Sequence, residues 1–168
     1  LEQRIEDAGD PPKSELIQHL LTWLNELAYI YRCIGESGKA ERIIHKSLDI
    51  NESLGRLQGM ATDYGNLGIV YATRGELEKA EEMFRKALEI EEKLGRLEGM
   101  ANQYGNLGIV YRTKGDVDKA EEMHLKSLDI EKKLGRLEGM ASDYGNLGVI
   151  YKTKGDLDKA EKMHLKSL

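Results

Sequence analysis

Residues 61–100 read ATDYGNLGIVYATRGELEKAEEMFRKALEIEEKLGRLEGM, and this stretch decides the fold. The next block, 101–140, matches it at 28 of 40 positions, and 141–168 matches 101–128 at 21 of 28. Reading outward to the other side, residues 21–60 are a diverged copy. Leu27, Tyr31, Gly35, Ala40, Leu48 and Ile50 return as Leu67, Tyr71, Gly75, Ala80, Leu88 and Ile90. A fixed period of 40 residues marks an array of supersecondary units. Each unit must bury its apolar face against its neighbours.

Within one copy the pattern predicts two helices, Leu57–Thr73 and Glu76–Leu94. Gly75 breaks the first, and Gly95 sits where a left-handed cap ends the second. Glu76, Glu78, Asp116 and Asp118 crowd the starts of the second helices, where carboxylates suit the helix dipole. No useful length shows strand-like alternation. Ahead of the first repeat, Leu1–Ala8 reads as the tail of an earlier second helix. Gly9-Asp10-Pro11-Pro12 reads as a turn, and Ser14 as the next N-cap. The division is then one solenoid. Residues 1–13 form a tail and turn, 14–55 repeat 1, 56–95 repeat 2, 96–135 repeat 3 and 136–168 a shortened repeat 4.

Composition closes off several classes. The chain has 168 residues, 40% of them hydrophobic and 33% charged, which is compatible with a packed core. No apolar run approaches the ~20 residues of a membrane span. A net charge of -5 argues against non-specific nucleic-acid binding. No secretory signal is visible, and the first residue is Leu1, so an excised fragment of a cytoplasmic protein is expected. Cys33 alone supports neither a disulfide framework nor a Cys-based zinc site.

At about 100° per residue, Tyr64, Leu67, Gly68 and Tyr71 share one stripe of the first helix. That stripe should pack on Ala80, Phe84, Ala87 and Leu88, with Gly68 facing Ala80. A mid-helix glycine costs ~1 kcal/mol relative to alanine, so Gly68, Gly108 and Gly148 imply a tight crossing. Thr62, Asn66, Ile69 and Thr73 fall nearly opposite. In a stacked array of helix pairs, such a stripe faces the inner, concave wall.

The series Tyr64-x-x-Leu67-Gly68-x-x-Tyr71-x-x-x-Gly75-x-x-x-x-Ala80-x-x-x-Phe84-x-x-Ala87 resembles the tetratricopeptide repeat (TPR) signature, with Tyr in place of its usual first Trp. The resemblance implies an all-α fold, a right-handed solenoid of antiparallel helix pairs. Two departures stand out. The common repeat is about 34 residues and ends its second helix near a proline. Here Glu52, Glu92 and Lys132 hold that place, and the repeat is longer. The Tyr-Gly-Asn-Leu-Gly core resembles the long-repeat TPR proteins typified by Partner of Inscuteable and, more distantly, kinesin light chains. Those are peptide-binding adaptors. The likeness implies that Asn66 and its equivalents face an extended ligand. Glu26 stands at the asparagine position of the first repeat.

The candidate site follows. Asn66, Asn106 and Asn146 carry amides that donate to and accept from a peptide backbone. An ordinary polar face is the competing reading. Thr62, Asn102 and Ser142, with Thr73, Thr113 and Thr153, complete the wall. Ile69, Ile109 and Val149 form an apolar row for ligand side chains, or for packing between neighbouring first helices. Arg112 and Lys152 edge the stripe and suit acidic ligand residues, or a solvated edge. Gly65, Gly105 and Gly145 allow close approach either of a ligand or of a neighbouring helix. His124 and His164 read as core histidines, since no ligand cluster accompanies them. Glu81-Glu82 reads as solvated surface. No catalytic constellation and no cofactor site is found. The expected function is that of a non-enzymatic scaffold holding a protein or peptide partner, without nucleic acid or membrane. The competing function is a homo-oligomer built by end-to-end stacking of exposed repeat ends.

Overall fold

The computed structural model describes residues 13–168. They form eight helices: α1 (Lys13–Cys33), α2 (Ser37–Ser53), α3 (Leu57–Thr73), α4 (Leu77–Leu94), α5 (Leu97–Lys114), α6 (Val117–Leu134), α7 (Leu137–Thr153) and α8 (Leu157–Lys166). No strand occurs among the described residues. Each helix packs on the next in the chain, so the molecule is an all-α, TPR-like solenoid.

The expected helix limits need two adjustments. Glu76 is the cap of α4 rather than its first residue, with φ -81° and ψ 63°. Ser14 lies inside α1 and does not cap it. The expected tail Leu1–Ala8 and turn Gly9–Pro12 lie outside the described residues. Where the chain reverses, glycine is required. Gly75 and Gly95 take φ of 77° and 65°, a left-handed conformation that a Cβ disfavours. At the first of these turns Gly75 N donates to Ala72 O and Glu76 N to Tyr71 O, at 3.0 and 2.9 Å. That is the Schellman pattern that satisfies the last helical carbonyls.

The core runs along the seam between helices. Leu67, Leu107 and Leu147, one per repeat, have no more than 1% of their surface exposed. Full burial of such a side chain stabilises by roughly 1.5–3 kcal/mol. Phe84, Val70 and Val110 join Leu67 and Leu107 in one cluster edged by Met60, Met83 and Met123, while Leu147 packs with Leu128 and Tyr144 in a second. The nearest neighbour of Gly68 is Phe84, one turn on from Ala80. A Cβ on Gly68 would stand 2.5 Å from Cε1 of Phe84, so the missing side chain makes room for the ring. At the equivalent Gly108 and Gly148 the neighbours are His124 and His164, both at 2.6 Å.

A second seam ties each first helix back to the preceding repeat. The Tyr71 hydroxyl donates to Glu41 at 2.8 Å, Tyr111 to Glu81 at 2.6 Å and Tyr151 to Glu121 at 2.7 Å. Arg74, Lys114 and Lys154 bind the same carboxylates. Glu81 is therefore no solvated surface residue, although Glu82 is exposed. Burial alone would raise the Glu81 carboxyl. Hydrogen bonds from Tyr111, Lys114 and Arg85 more than offset that and hold it at about 2.

Candidate binding groove

The first helices of successive repeats, α3, α5 and α7, line an open groove of about 610 Å³. Helical spacing places Thr62, Asn66 and Ile69 of α3 on its wall, with Asn102, Asn106 and Ile109 of α5. Ser142 and Asn146 of α7 continue it. Val149, Thr73, Thr113, Thr153, Arg112 and Lys152 do not line it. The hydroxyls of Thr73, Thr113 and Thr153 donate to carbonyls one turn back, at 2.8, 2.8 and 3.0 Å. Their donors are thus satisfied within their own helices.

The three asparagines are half-buried but not equivalent. Asn66 Oδ1 accepts from Arg32 Nη1 at 3.3 Å, and Asn146 Nδ2 donates to Ser142 O at 3.1 Å. Asn106 has no side-chain hydrogen bond among the described residues. Ile109 is 42% and Val149 38% exposed, whereas Ile69 packs on the core. Gly65 lies beside Gln103 of α5, with Nε2 3.3 Å from where a Cβ would stand. Its nearest neighbour is thus a side chain of the adjacent first helix.

Beneath the groove lies a buried polar layer. Asp63 and Asp143 are 0% and 4% exposed. Between α2 and α3, Asp63 accepts from Asn51 at 2.6 Å and Ser47 at 3.1 Å. Burial raises the Asp63 carboxyl, and those two hydrogen bonds offset only part of the rise. Between α4 and α5 the equivalent residues are Glu91 and Gln103, both buried. Between α6 and α7 they are His124, Ser127, Glu131 and Asp143, with His124 Nδ1 3.0 Å from Asp143 Oδ1.

The glycines at 59, 99 and 139 were the available signal. A Cβ on Gly99 would stand 2.2 Å from Cδ of Glu91, and one on Gly139 2.3 Å from Cδ of Glu131. These carboxylates sit in notches that glycine leaves, each in the first turn of the following helix. The helix N-terminus favours negative charge there.

Compensation is incomplete. Arg96 Nη1 lies 3.5 Å from Glu91 Oε2, and Arg136 Nε 3.3 Å from Glu131 Oε2. Both are at ion-pair distance, but neither Oε2 receives a hydrogen bond. Burial pushes both carboxyls up. Arg96 or Arg136 opposes the shift, and repulsion from Glu98 adds to both. Asp143 adds further to Glu131.

His124, Asp143 and Ser127 do not form a nucleophilic triad. Ser127 Oγ donates to Ala101 O at 3.1 Å, and the His124 ring packs on Gly108. The described residues contain no group of three His, Cys, Asp or Glu able to hold a metal ion. No helix among them is long and apolar enough to cross a membrane.

A solenoid of repeated helix pairs with a continuous inner groove defines a class of interaction module. The family model described as tetratricopeptide repeat matches residues 19–93 and 99–168, and the chain belongs to that family. Tetratricopeptide repeats are in general non-enzymatic modules for protein–protein interaction.

Among solved structures, BtubC (BKLC) from P. vanneervenii is 29% identical with a TM-score of 0.81, covering 90% of this chain and 63% of that one. The present chain thus spans less than two thirds of that relative's length. MamA is 25% identical with a TM-score of 0.67, over 88% of this chain and 75% of its own. A putative kinesin light chain from Podosopora anserina, with nearly identical TPR-like repeats, is 21% identical with a TM-score of 0.75. It covers 88% of this chain and 72% of its own, and it shares the fold. No curated protein matches the chain.

Proposed function

We propose that this chain is a non-enzymatic scaffold or adaptor segment that holds an extended peptide of a protein partner in the groove of α3, α5 and α7. Asn66, Asn106 and Asn146 meet the peptide backbone, and Ile69 and Ile109 meet apolar side chains. The observation that carries the reading is Asn106, a half-buried amide on the groove wall with no side-chain hydrogen bond among the described residues. An amide placed so can both donate to and accept from a strand laid beside it. The 40-residue period and the Tyr-Gly-Asn-Leu-Gly core, which resemble Partner of Inscuteable, support the same reading. The test is a pull-down with peptide identification, followed by titration of the captured peptide against the triple Asn66→Ala, Asn106→Ala, Asn146→Ala variant. Unchanged affinity with an intact helical spectrum removes the amide row from the mechanism.

A second reading, end-to-end self-association, has one observation of its own. Leu20, Trp23, Leu27 and Ile30 form an exposed stripe on α1. Their equivalents in α3 include Leu67 and Val70, which are 0% and 1% exposed in a cluster with Ile44 and Leu48 of α2 and Phe84 of α4. Sedimentation across a concentration series, with Trp23→Glu as the blocking variant, tests it. A monomer at all concentrations refutes it.

A further inference from the structure

The groove carries a charge that the amide row does not explain. Five carboxylates line it, those of Glu91, Glu98, Glu131, Glu138 and Asp143, against the two guanidiniums of Arg96 and Arg136. The imbalance is concentrated between α5 and α7. There Arg136 lies 3.2 Å from Glu98 and 3.3 Å from Glu131, so one cation already serves two acids. Asp143 is 4% exposed, and its Oδ2 has no hydrogen bond, since His124 engages only Oδ1. Glu138 is exposed and forms no ion pair among the described residues. The cations expected to favour an acidic ligand, Arg112 and Lys152, do not line this space.

We propose that the groove between α5 and α7 receives a cationic side chain of the partner, a lysine ammonium or arginine guanidinium. Its rim is made by Glu98 and Glu138, and its floor by Glu131 and Asp143. The proposal rests on the groove-binding reading and narrows it to a basic partner segment. The division of labour follows from burial. Glu98 and Glu138 are exposed and make the direct contacts. Glu131 and Asp143 are sealed beneath them, where charge is screened less than at the surface. A concave site lined by one sign of charge focuses its field on the entering counter-ion. An incoming cation also relieves the mutual repulsion among Glu98, Glu131 and Asp143, which raises the Glu131 carboxyl after burial has done so. The net charge of -5 steers the same class of partner from a distance.

The probes are two short fluorescein-labelled peptides, one of alternating Ala and Lys, the other of alternating Ala and Glu. They are titrated by anisotropy at physiological salt. The variants are Glu98→Gln with Glu138→Gln, and, as a control outside the groove, Glu82→Gln with Glu89→Gln. Neither pair belongs to the buried layer, so both proteins should fold. The expected result is binding of the Lys peptide only, weakened about tenfold by the rim variant and unchanged by the control. Binding of the Glu peptide as tightly as the Lys peptide overturns the proposal, and so does no binding of either. Equal weakening by rim and control variants also overturns it, because it shows diffuse charge attraction instead of a site. The triple asparagine variant separates the two readings. If it weakens the Lys peptide while the rim variant does not, the groove reading stands and the cationic site falls. If the rim variant alone weakens binding, the cationic site stands and the amide row falls.

Discussion

Gly68, Gly108 and Gly148 occupy the same place in three repeats, and the same substitution should have different consequences at each. Replacing glycine by alanine inside a helix stabilises by ~1 kcal/mol where there is room. At Gly68 the new methyl would lie 2.5 Å from the Phe84 ring, which is 2% exposed and cannot swing outward. Overpacking of that kind costs ~1–3 kcal/mol, so the net effect of Gly68→Ala is a loss of ~1 kcal/mol. At Gly108 the obstacle is His124, 0% exposed and held by Asp143. Moving the ring also breaks a buried hydrogen bond to a charged group, worth ~1.5–3 kcal/mol, so Gly108→Ala should cost the most. At Gly148 the neighbouring His164 is exposed and free to rotate away. Gly148→Ala should therefore stabilise by up to ~1 kcal/mol.

The assay is urea unfolding followed by helical circular dichroism, fitted with nearest-neighbour terms because a solenoid need not unfold in one step. Phe84→Leu in the Gly68→Ala background makes room for the methyl and should reduce the loss. The reasoning is refuted if Gly68→Ala or Gly108→Ala raises the midpoint as Gly148→Ala does. It is also refuted if all three fall together, which would mean that the clash with the buried ring is not what decides the outcome.

Three further outcomes follow from the polar seams. Glu81→Gln should lower stability at neutral pH by ~1–2 kcal/mol. A carboxyl held at about 2 instead of 4.5 sets an upper bound of ~3 kcal/mol, and solvent screening of its partly exposed partners reduces it. A depressed carboxyl contributes stability above its ordinary value, so the gap between parent and variant should narrow from about pH 4.5 and close near pH 2. Glu131→Gln should behave oppositely. Burial raises that carboxyl, so its ionised form opposes folding at neutral pH. The variant should be at least as stable as the parent there, and the difference should shrink as acid protonates the parent. Asn51→Ala removes the 2.6 Å donor to Asp63, whose other side-chain donor among the described residues is Ser47. It should cost ~1–3 kcal/mol by thermal unfolding, and a double-mutant cycle with Asp63→Asn should show strong coupling.

The helices were legible because two local signals agree. The glycines that end them recur every 40 residues, and leucines such as Leu67 recur with them. The wall of the groove was legible for the same reason, since a helical period alone separates Asn66 and Ile69 from Leu67 and Tyr71. The same period put Arg112, Lys152 and Val149 on that wall, yet none of them lines it, although Ile69 and Ile109 at the repeat position of Val149 do. The buried polar layer was not legible. Asp63 and Asp143 look like surface acids until one knows which helix covers them, and helical period says nothing about the neighbour. Only the glycines at 59, 99 and 139, recurring where a carboxylate or amide approaches, hinted at the notch.

That layer addresses a problem that near-identical repeats create. If α5 and α7 share most of their apolar faces, either could dock on α4 or α6 and bury equivalent leucines. Misdocking of this kind is a characteristic failure of repeat proteins. The polar residues differ where the apolar ones do not. Asp63 meets Asn51 and Ser47, Asp143 meets His124, and at the equivalent places between α4 and α5 stand the buried Gln103 and Glu91. Docking α7 on α4 would set Asp143 against Phe84 and Glu91 with no donor, leaving a buried charge unpaired. Such an error costs several kcal/mol, more than the apolar contacts of either arrangement differ. Exchanging the two residues, as Gln103→Asp with Asp143→Gln, keeps every apolar contact and reverses this discrimination. Refolding of the exchanged chain should therefore be slower and give more mispaired species than the parent, as read by native-state hydrogen exchange of α5 and α7. Unchanged refolding and protection would mean that the short turns alone fix which helices meet.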